Sequence, residues 1–398
     1  MKLGTPATGE DFRGRQQELN DLWRYLGNDH IKLPGARRLG KTSILMRLVD
    51  QAPEHGVFAQ WVDVSSMQTT ADFLDQLDRE FPAQGISVFM AKQAAKVADW
   101  LGRIKSIGVQ APEILGGGGA NIDLSNPAAS SWLPQAHALQ QRLHNQPLLV
   151  LLDEFPVMLQ GLLKQNPAEA EQLLKVLRIW RQTGHWRFVF TGSIGLQSLL
   201  ERHGLSVHMN DCFDFPLGPM RTIEAIQMWQ HFSQRRNWHC PEEISQHALA
   251  RVGWASPYYL NLLLDETLRM ADIRAEETPT DQSALCQADV DNAYDNLLAQ
   301  RSRFQHWEHR LRSQLSEPDL GFCLAVLTHV AKKDDGLTLA QLNQRLTKRE
   351  PNPDERARLL PELLTRLSDE GYLSPPDAKG RVRFLSFPLR DWWRSNHV

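Results

Sequence analysis

Gly35 to Ser43, GARRLGKTS, constrains this chain more than any other stretch. It satisfies G-x-x-x-x-G-K-[ST], the spacing of a phosphate-binding loop. Gly35 and Gly40 let the backbone wrap close to phosphate oxygens. The loop amides and the N-terminus of the next helix supply donors and a positive dipole. In this pattern Lys41 reaches the β- and γ-phosphates and Thr42 ligates Mg2+. Ser43 is a further expected nucleotide contact, as are Arg37 and Arg38, for which a neighbouring subunit is the alternative. The context agrees: an extended piece, His30 to Leu33, precedes the loop, and a helical run, TSILMRLV, follows it.

A second element supports the first. LLVLLDEF, Leu148 to Phe155, is a continuous apolar run ending in two carboxylates. Such a run suits a strand buried on both faces. At this place Asp153 is expected to hold the Mg2+ and Glu154 to polarise an attacking water. A third element is FVFTGS, Phe188 to Ser193. A strand beside the acidic one often ends in a polar residue that senses the γ-phosphate. Thr191 and Ser193 are the candidates, and the tip position favours Ser193. The alternative is a hydroxyl that caps the next helix.

Extended runs at His30–Leu33, Val57–Val64, Leu148–Leu152, Arg187–Thr191 and Phe213–Leu217 alternate with helical patterns. That order predicts a parallel sheet covered on both faces. Residues 84–130 interrupt it with a helix near Ala91–Ile104 and strand-like pieces around Gly116–Gly119. They read as a β-hairpin insertion, with an open loop as the alternative. From Met220 to about Gln300 the pattern is helical. Three helical stretches then precede two strand-like pieces around a Pro/Gly turn, the order of a winged helix.

The 398 residues suggest two to four domains, and 42 % hydrophobic with 23 % charged residues exclude wholesale disorder. No run of about 18 apolar residues occurs, so no membrane span is expected. The N-terminus has no signal-peptide look. Cys212, Cys240, Cys286 and Cys323 lie far apart, which fits reduced thiols and a cytoplasmic protein. The histidines lack metal-ligand spacing; His30, His185 and His208 read as boundary residues. Trp180, Trp186, Trp229, Trp238 and Trp254 read as core packing.

Residues 301–398 carry 17 Lys and Arg against 13 Asp and Glu, a balance that permits nucleic acid. On the third helix Arg356, Arg358 and Arg366, with Arg381 and Arg383 on the wing, are the candidate contacts to double-stranded DNA. Glu355, Glu362, Asp369 and Glu370 share that helix and favour a partner protein. Arg178, Arg181 and Arg187 lie between the acidic run and FVFTGS or at its edge; a subunit-bridging arginine and solvated helix faces are the two readings.

FRGRQQEL, GARRLGKTS, LLDEF, TGSIG and GWASPYYL occur in this order. With them the chain resembles the prokaryotic or archaeal-type ATPases of the STAND and AAA+ branch of P-loop NTPases, over most of its length. The resemblance implies an α/β parallel-sheet P-loop NTPase (AAA+-like) domain at 1–217, a helical lid at 218–305 and a C-terminal winged-helix domain at 306–398. It implies ATP with Mg2+. It places Phe12, Gly14 and Arg15 near the adenine. Pro257 resembles a base-contacting GxP proline, although the spacing from Gly253 is longer here. The implied function is an ATP-hydrolysing switch whose state controls a winged helix. An oligomeric DNA-remodelling or loader ATPase and a non-hydrolysing ATP-bound scaffold are the alternatives.

Overall fold

The computed structural model describes residues 4–104, 131–192, 195–277, 283–300 and 302–398. The chain divides into two compact units. The sheet unit holds Arg15–Gly35 and Lys41–Leu217. The C-terminal unit holds Met1–Gly14, Ala36–Gly40 and Gly218–Val398.

In the sheet unit five strands lie parallel: β1 (His30–Leu33), β2 (Phe58–Asp63), β3 (Leu148–Asp153), β4 (Trp186–Thr191) and β5 (Cys212–Asp214). Their order is β2-β3-β4-β1-β5. Each observed strand overlaps the run predicted for it. The helices are α1 (Gln16–Leu26), α2 (Lys41–Gln51), α3 (Thr70–Glu80), α4 (Ala83–Lys92), α5 (Ala94–Ile104), α6 (Leu133–Leu143), α7 (Phe155–Gln165), α8 (Pro167–Thr183) and α9 (Leu196–Arg202). Parallel strands need such crossovers, because no tight turn can join them. Every residue of β3 and β4 is buried. Local chemistry starts the helices. Thr69 and Asp72 form a capping box on α3, and the Asn166 side chain accepts from the Glu169 amide ahead of Pro167. Trp180 and Trp186 meet edge to face in this core, 5.1 Å apart.

Two expectations shift here. The first half of the 84–130 segment is helical, in α4 and α5; the expected hairpin and its glycine tip lie outside the described residues. His30 is interior rather than a boundary residue. Its Nε2–H donates to the Arg181 carbonyl (3.1 Å), and its Nδ1 accepts from the Phe188 amide (3.3 Å). Burial pushes its pKa down to about 3, and the charges of Arg187 and Arg181 add to that.

The C-terminal unit is helical: α10 (Thr222–Gln234), α11 (Glu242–Val252), α12 (Pro257–Glu277), α13 (Gln287–Ala299) and α14 (Ser302–Gln314). Gly253 ends α11 at φ +74, and the Phe387 ring fills the space a Cβ would need. Next come α15 (Asp319–Ala331), β6 (Leu337–Thr338), α16 (Leu339–Arg345), α17 (Pro353–Asp369), β7 (Arg381–Val382) and α18 (Phe387–His397). Strands β6 and β7 pair antiparallel. The sequence reading missed α18. Its signals were present: Ser386 caps the Leu389 amide and Pro388 opens the first turn. Trp392 and Trp393 of α18 are buried. Among the described residues no helix is long and apolar enough to cross a membrane.

Candidate phosphate-binding site

Strand β1 is buried along its whole length and lies between β4 and β5. The chain leaves it through the glycine-rich loop and re-enters regular structure as α2 at Lys41. Gly40 takes φ +89, open to glycine at little cost. Arg38 takes φ +68, a left-handed conformation that strains a residue with a Cβ by about 1 kcal/mol. Lys41 is buried, and its Nζ donates to the Gly35 carbonyl at 2.5 Å.

Asp153 ends β3 and is 4 % exposed. Its Oδ2 accepts from the Thr42 hydroxyl at 2.6 Å and from Trp61 Nε1 at 3.2 Å. Its Oδ1 accepts from the Glu154 amide at 3.1 Å. Burial pushes the Asp153 carboxyl above its ordinary value; the Thr42 donor pulls the other way, and the Glu154 charge adds to the rise. Thr42 and Asp153 thus present oxygen donors side by side, 111 residues apart in sequence. A hard cation such as Mg2+ suits that set, because it binds through one or two protein oxygens with phosphate and water completing the shell. Among the described residues no cluster of three or more His, Cys, Asp or Glu could hold a metal alone.

Glu154 follows at φ 56 and ψ 28 and starts α7. Gly192 explains how β4 ends beside it. A Cβ there would lie 2.4 Å from Pro156 Cδ, so only glycine passes α7 this closely. Thr191 is buried, and its hydroxyl donates to the Leu33 carbonyl at 3.2 Å, tying β4 to β1. Ser193 lies outside the described residues. Trp61 was missed by the sequence reading. Its signal was the register: Asp63 pairs with Asp153, and Trp61, two residues earlier, shares that face.

Ser43 is buried in the first turn of α2. Arg15 is 3 % exposed at φ 63, and its guanidinium bonds Glu18 at 2.7 Å, at the start of α1. Phe12 and Gly14 belong to the C-terminal unit, where Met220 and Glu224 pack against Gly14. Arg37 and Arg38 also cluster with that unit. Pro257 opens α12, with its Cγ 3.9 Å from where a Cβ on Gly40 would stand.

The arginines of α8 and β4 are engaged within the sheet unit. Arg178 donates to the Val207 carbonyl at 2.7 Å. Arg181 grips Asp211 with two bonds of 2.9 Å. Arg187 is buried and donates to the Leu26 carbonyl at 3.0 Å. Arg356, expected to meet DNA, instead ties α17 to its own surroundings. It donates to Asn343 Oδ1 (2.9 Å) and to the carbonyls of Glu350 (2.5 Å) and Pro351 (3.0 Å). Arg358 is exposed and paired with Glu355 at 2.6 Å and Glu362 at 3.8 Å.

No protein-family model matches the chain, and no curated protein matches it. Solved structures do. The chain is similar to a Walker-type ATPase of Pyrococcus abyssi at 16 % identity and a TM-score of 0.63, covering 99 % of each chain. It is similar to the ORC2 protein of Aeropyrum pernix in its ADPNP–ADP complexes at 17 % identity and a TM-score of 0.55, covering 97 % of this chain and 95 % of that one. At these identities the likeness speaks to the fold, and with the sheet order above it makes the chain an α/β protein with the fold of the AAA+ P-loop ATPases.

Proposed function

We propose that this protein binds Mg-ATP at the Gly35–Ser43 loop and hydrolyses it slowly, as a nucleotide-dependent switch. One observation carries the reading: the Thr42 hydroxyl meets the buried Asp153 carboxylate at 2.6 Å, one residue beyond Lys41. Thr42 and Asp153 are the residues to hold Mg2+, which when bound offsets charge on the phosphates. Lys41 exchanges its bond to the Gly35 carbonyl for phosphate oxygen. The amides of the loop and of the first turn of α2 donate to the same group. Glu154 orients the attacking water and takes its proton, and Ser193 is the candidate sensor of the γ-phosphate.

We assign 1–217 to the ATPase domain, 218–305 to a helical lid and 306–398 to a winged helix as the output element. A partner protein suits that element better than double-stranded DNA. Arg356 is used internally and Arg358 is paired on its own helix face. A switch suits the chain better than a ring or other homo-oligomer, because Arg178, Arg181 and Arg187 already have partners within the sheet unit.

Phosphate release by the purified protein, with and without duplex DNA, tests this beside Glu154→Gln. The expected outcome is slow release that DNA does not stimulate, and a loss of about 100-fold or more in the variant with nucleotide still bound. Normal release by Glu154→Gln removes Glu154 from its role. Stimulation by DNA restores the DNA-remodelling alternative.

A further inference from the structure

Arg38 sits in the middle of the phosphate loop, yet its contacts lie within the C-terminal unit. Its guanidinium carbon stands 4.1 Å from the centroid of the Tyr258 ring, a cation–π contact. Its Nη2 donates to His306 Nε2 at 3.2 Å. Its carbonyl accepts from the Ser256 hydroxyl at 2.6 Å. Tyr258 is on α12 and His306 on α14, and Ser256 immediately precedes α12. A serine at that place ordinarily accepts from the amides of its own helix; here the hydroxyl proton goes to the loop. A later turn of the same unit also reaches the loop. Gly371, at φ +88 after α17, has space for a Cβ only 3.4 Å from Ala36 Cβ and 3.5 Å from the Arg37 backbone.

We propose that Arg38 is a positioning residue, through which α12 and α14 set the phosphate loop in its binding conformation. The proposal rests on the ATP reading above and names how that site is controlled. A phosphate cradle needs its amides turned inward and its carbonyls turned away. Ser256 fixes the Arg38 carbonyl by hydrogen bonding it, which commits the neighbouring peptide. The left-handed Arg38 backbone is strained and persists only where its surroundings hold it. Tyr258 and His306 supply that hold through the side chain. The guanidinium is therefore an anchor in the C-terminal unit rather than a ligand of phosphate. Linkage makes the coupling reciprocal: a partner that displaces α12 or α14 weakens nucleotide binding, and nucleotide disfavours that displacement.

The test uses the full chain, a non-hydrolysable ATP analogue by calorimetry, and steady-state phosphate release. Tyr258→Leu and Ser256→Ala are expected to weaken analogue binding about tenfold and to raise KM equally, with kcat at saturation held within about twofold. Tyr258→Phe keeps the ring and restores wild-type affinity. Arg38→Lys keeps charge but loses the planar stack, and it behaves like Tyr258→Leu. Combining Arg38→Ala with Tyr258→Leu is no worse than Arg38→Ala alone. Ser256→Ala removes only a hydroxyl, so it keeps the test open if Tyr258→Leu misfolds. Wild-type affinity in Tyr258→Leu and Ser256→Ala, with kcat lost in Arg38→Ala, overturns the proposal and puts Arg38 on the phosphate. Lys41→Ala separates the two levels. If it binds analogue normally, the ATP reading itself fails and the proposal falls with it; if it loses binding while the anchor variants keep theirs, only the proposal fails.

Discussion

Basic side chains stand at two places in the sheet unit, and they do different work in each. At the start of α2, Lys41 bonds a main-chain carbonyl, a neutral partner that an anion can replace. Along α8 and into β4, the guanidiniums of Arg178, Arg181 and Arg187 close contacts between elements. The Arg181 side chain is fully buried against Asp211. Positive charge in sequence therefore says little about phosphate chemistry by itself. What separates the two stretches is the partner: a carbonyl at a helix N-terminus, or a carboxylate and carbonyls that tie one element to the next.

The largest test of that contrast is Arg181→Met. It leaves Asp211 without its bidentate partner, which the guanidinium now holds below the ordinary carboxylate range. Breaking such a pair costs about 3–5 kcal/mol. Urea unfolding reads the loss, and ATP-analogue affinity of the folded fraction is expected to stay at the wild-type level. A variant of normal stability with turnover abolished makes Arg181 a reacting group and erases the distinction.

The sequence made the acidic strand and the loop readable for a physical reason. A strand buried on both faces must be a continuous apolar run, so its polar ends stand out, and loops at those ends are where a parallel sheet places chemistry. Hence the two motifs by themselves bring Asp153 and Thr42 together, and their side chains meet at 2.6 Å. Trp61 was not, because its role follows from the register of β2 against β3, which depends on pairing between distant segments. The partners of Arg38 and Arg356 are not legible for the same reason. A charged side chain on a loop or helix face has its partner chosen by tertiary packing, and nothing local announces Tyr258 or Asn343. Helix α18 is less legible because it follows directly on short extended pieces and its start is set by one capping serine.

His30 extends the structural side of the comparison to pH. Its neutral ring bridges Arg181 and Phe188, and protonation would set an N–H against the Phe188 amide. The folded pKa is about 3, below the ordinary 6.5. Between those values the unfolded chain binds more protons than the folded one, so stability falls as pH drops from 6.5 toward 3. The slope contributed by this one group approaches about 1.4 kcal/mol per pH unit. His30→Gln is expected to be weaker at pH 7 yet to lose that slope, read as the difference between the two proteins in urea titrations at pH 7, 6 and 5. Parallel pH profiles would mean that His30 does not stay neutral in the folded state.

The smallest effects come from two arginines on one helix, Arg356 and Arg358, and they carry the contrast into the C-terminal unit. The first is 7 % exposed and holds Asn343 and two carbonyls; the second is exposed and paired along the helix. Removing the first breaks three part-buried, charge-assisted hydrogen bonds, and Arg356→Ala is expected to cost about 2 kcal/mol, visible as a lower melting temperature. Removing the second releases carboxylates into water, so Arg358→Ala should leave the melting temperature where it was. Neither change should alter retention on duplex DNA, because the buried arginine never faces it and the exposed one is neutralised by its neighbours. Loss of DNA retention in Arg358→Ala alone would return α17 to the role of a groove reader. A melting point unchanged in Arg356→Ala would mean that its three acceptors find water instead, and that buried guanidiniums in the C-terminal unit contribute less than those on α8.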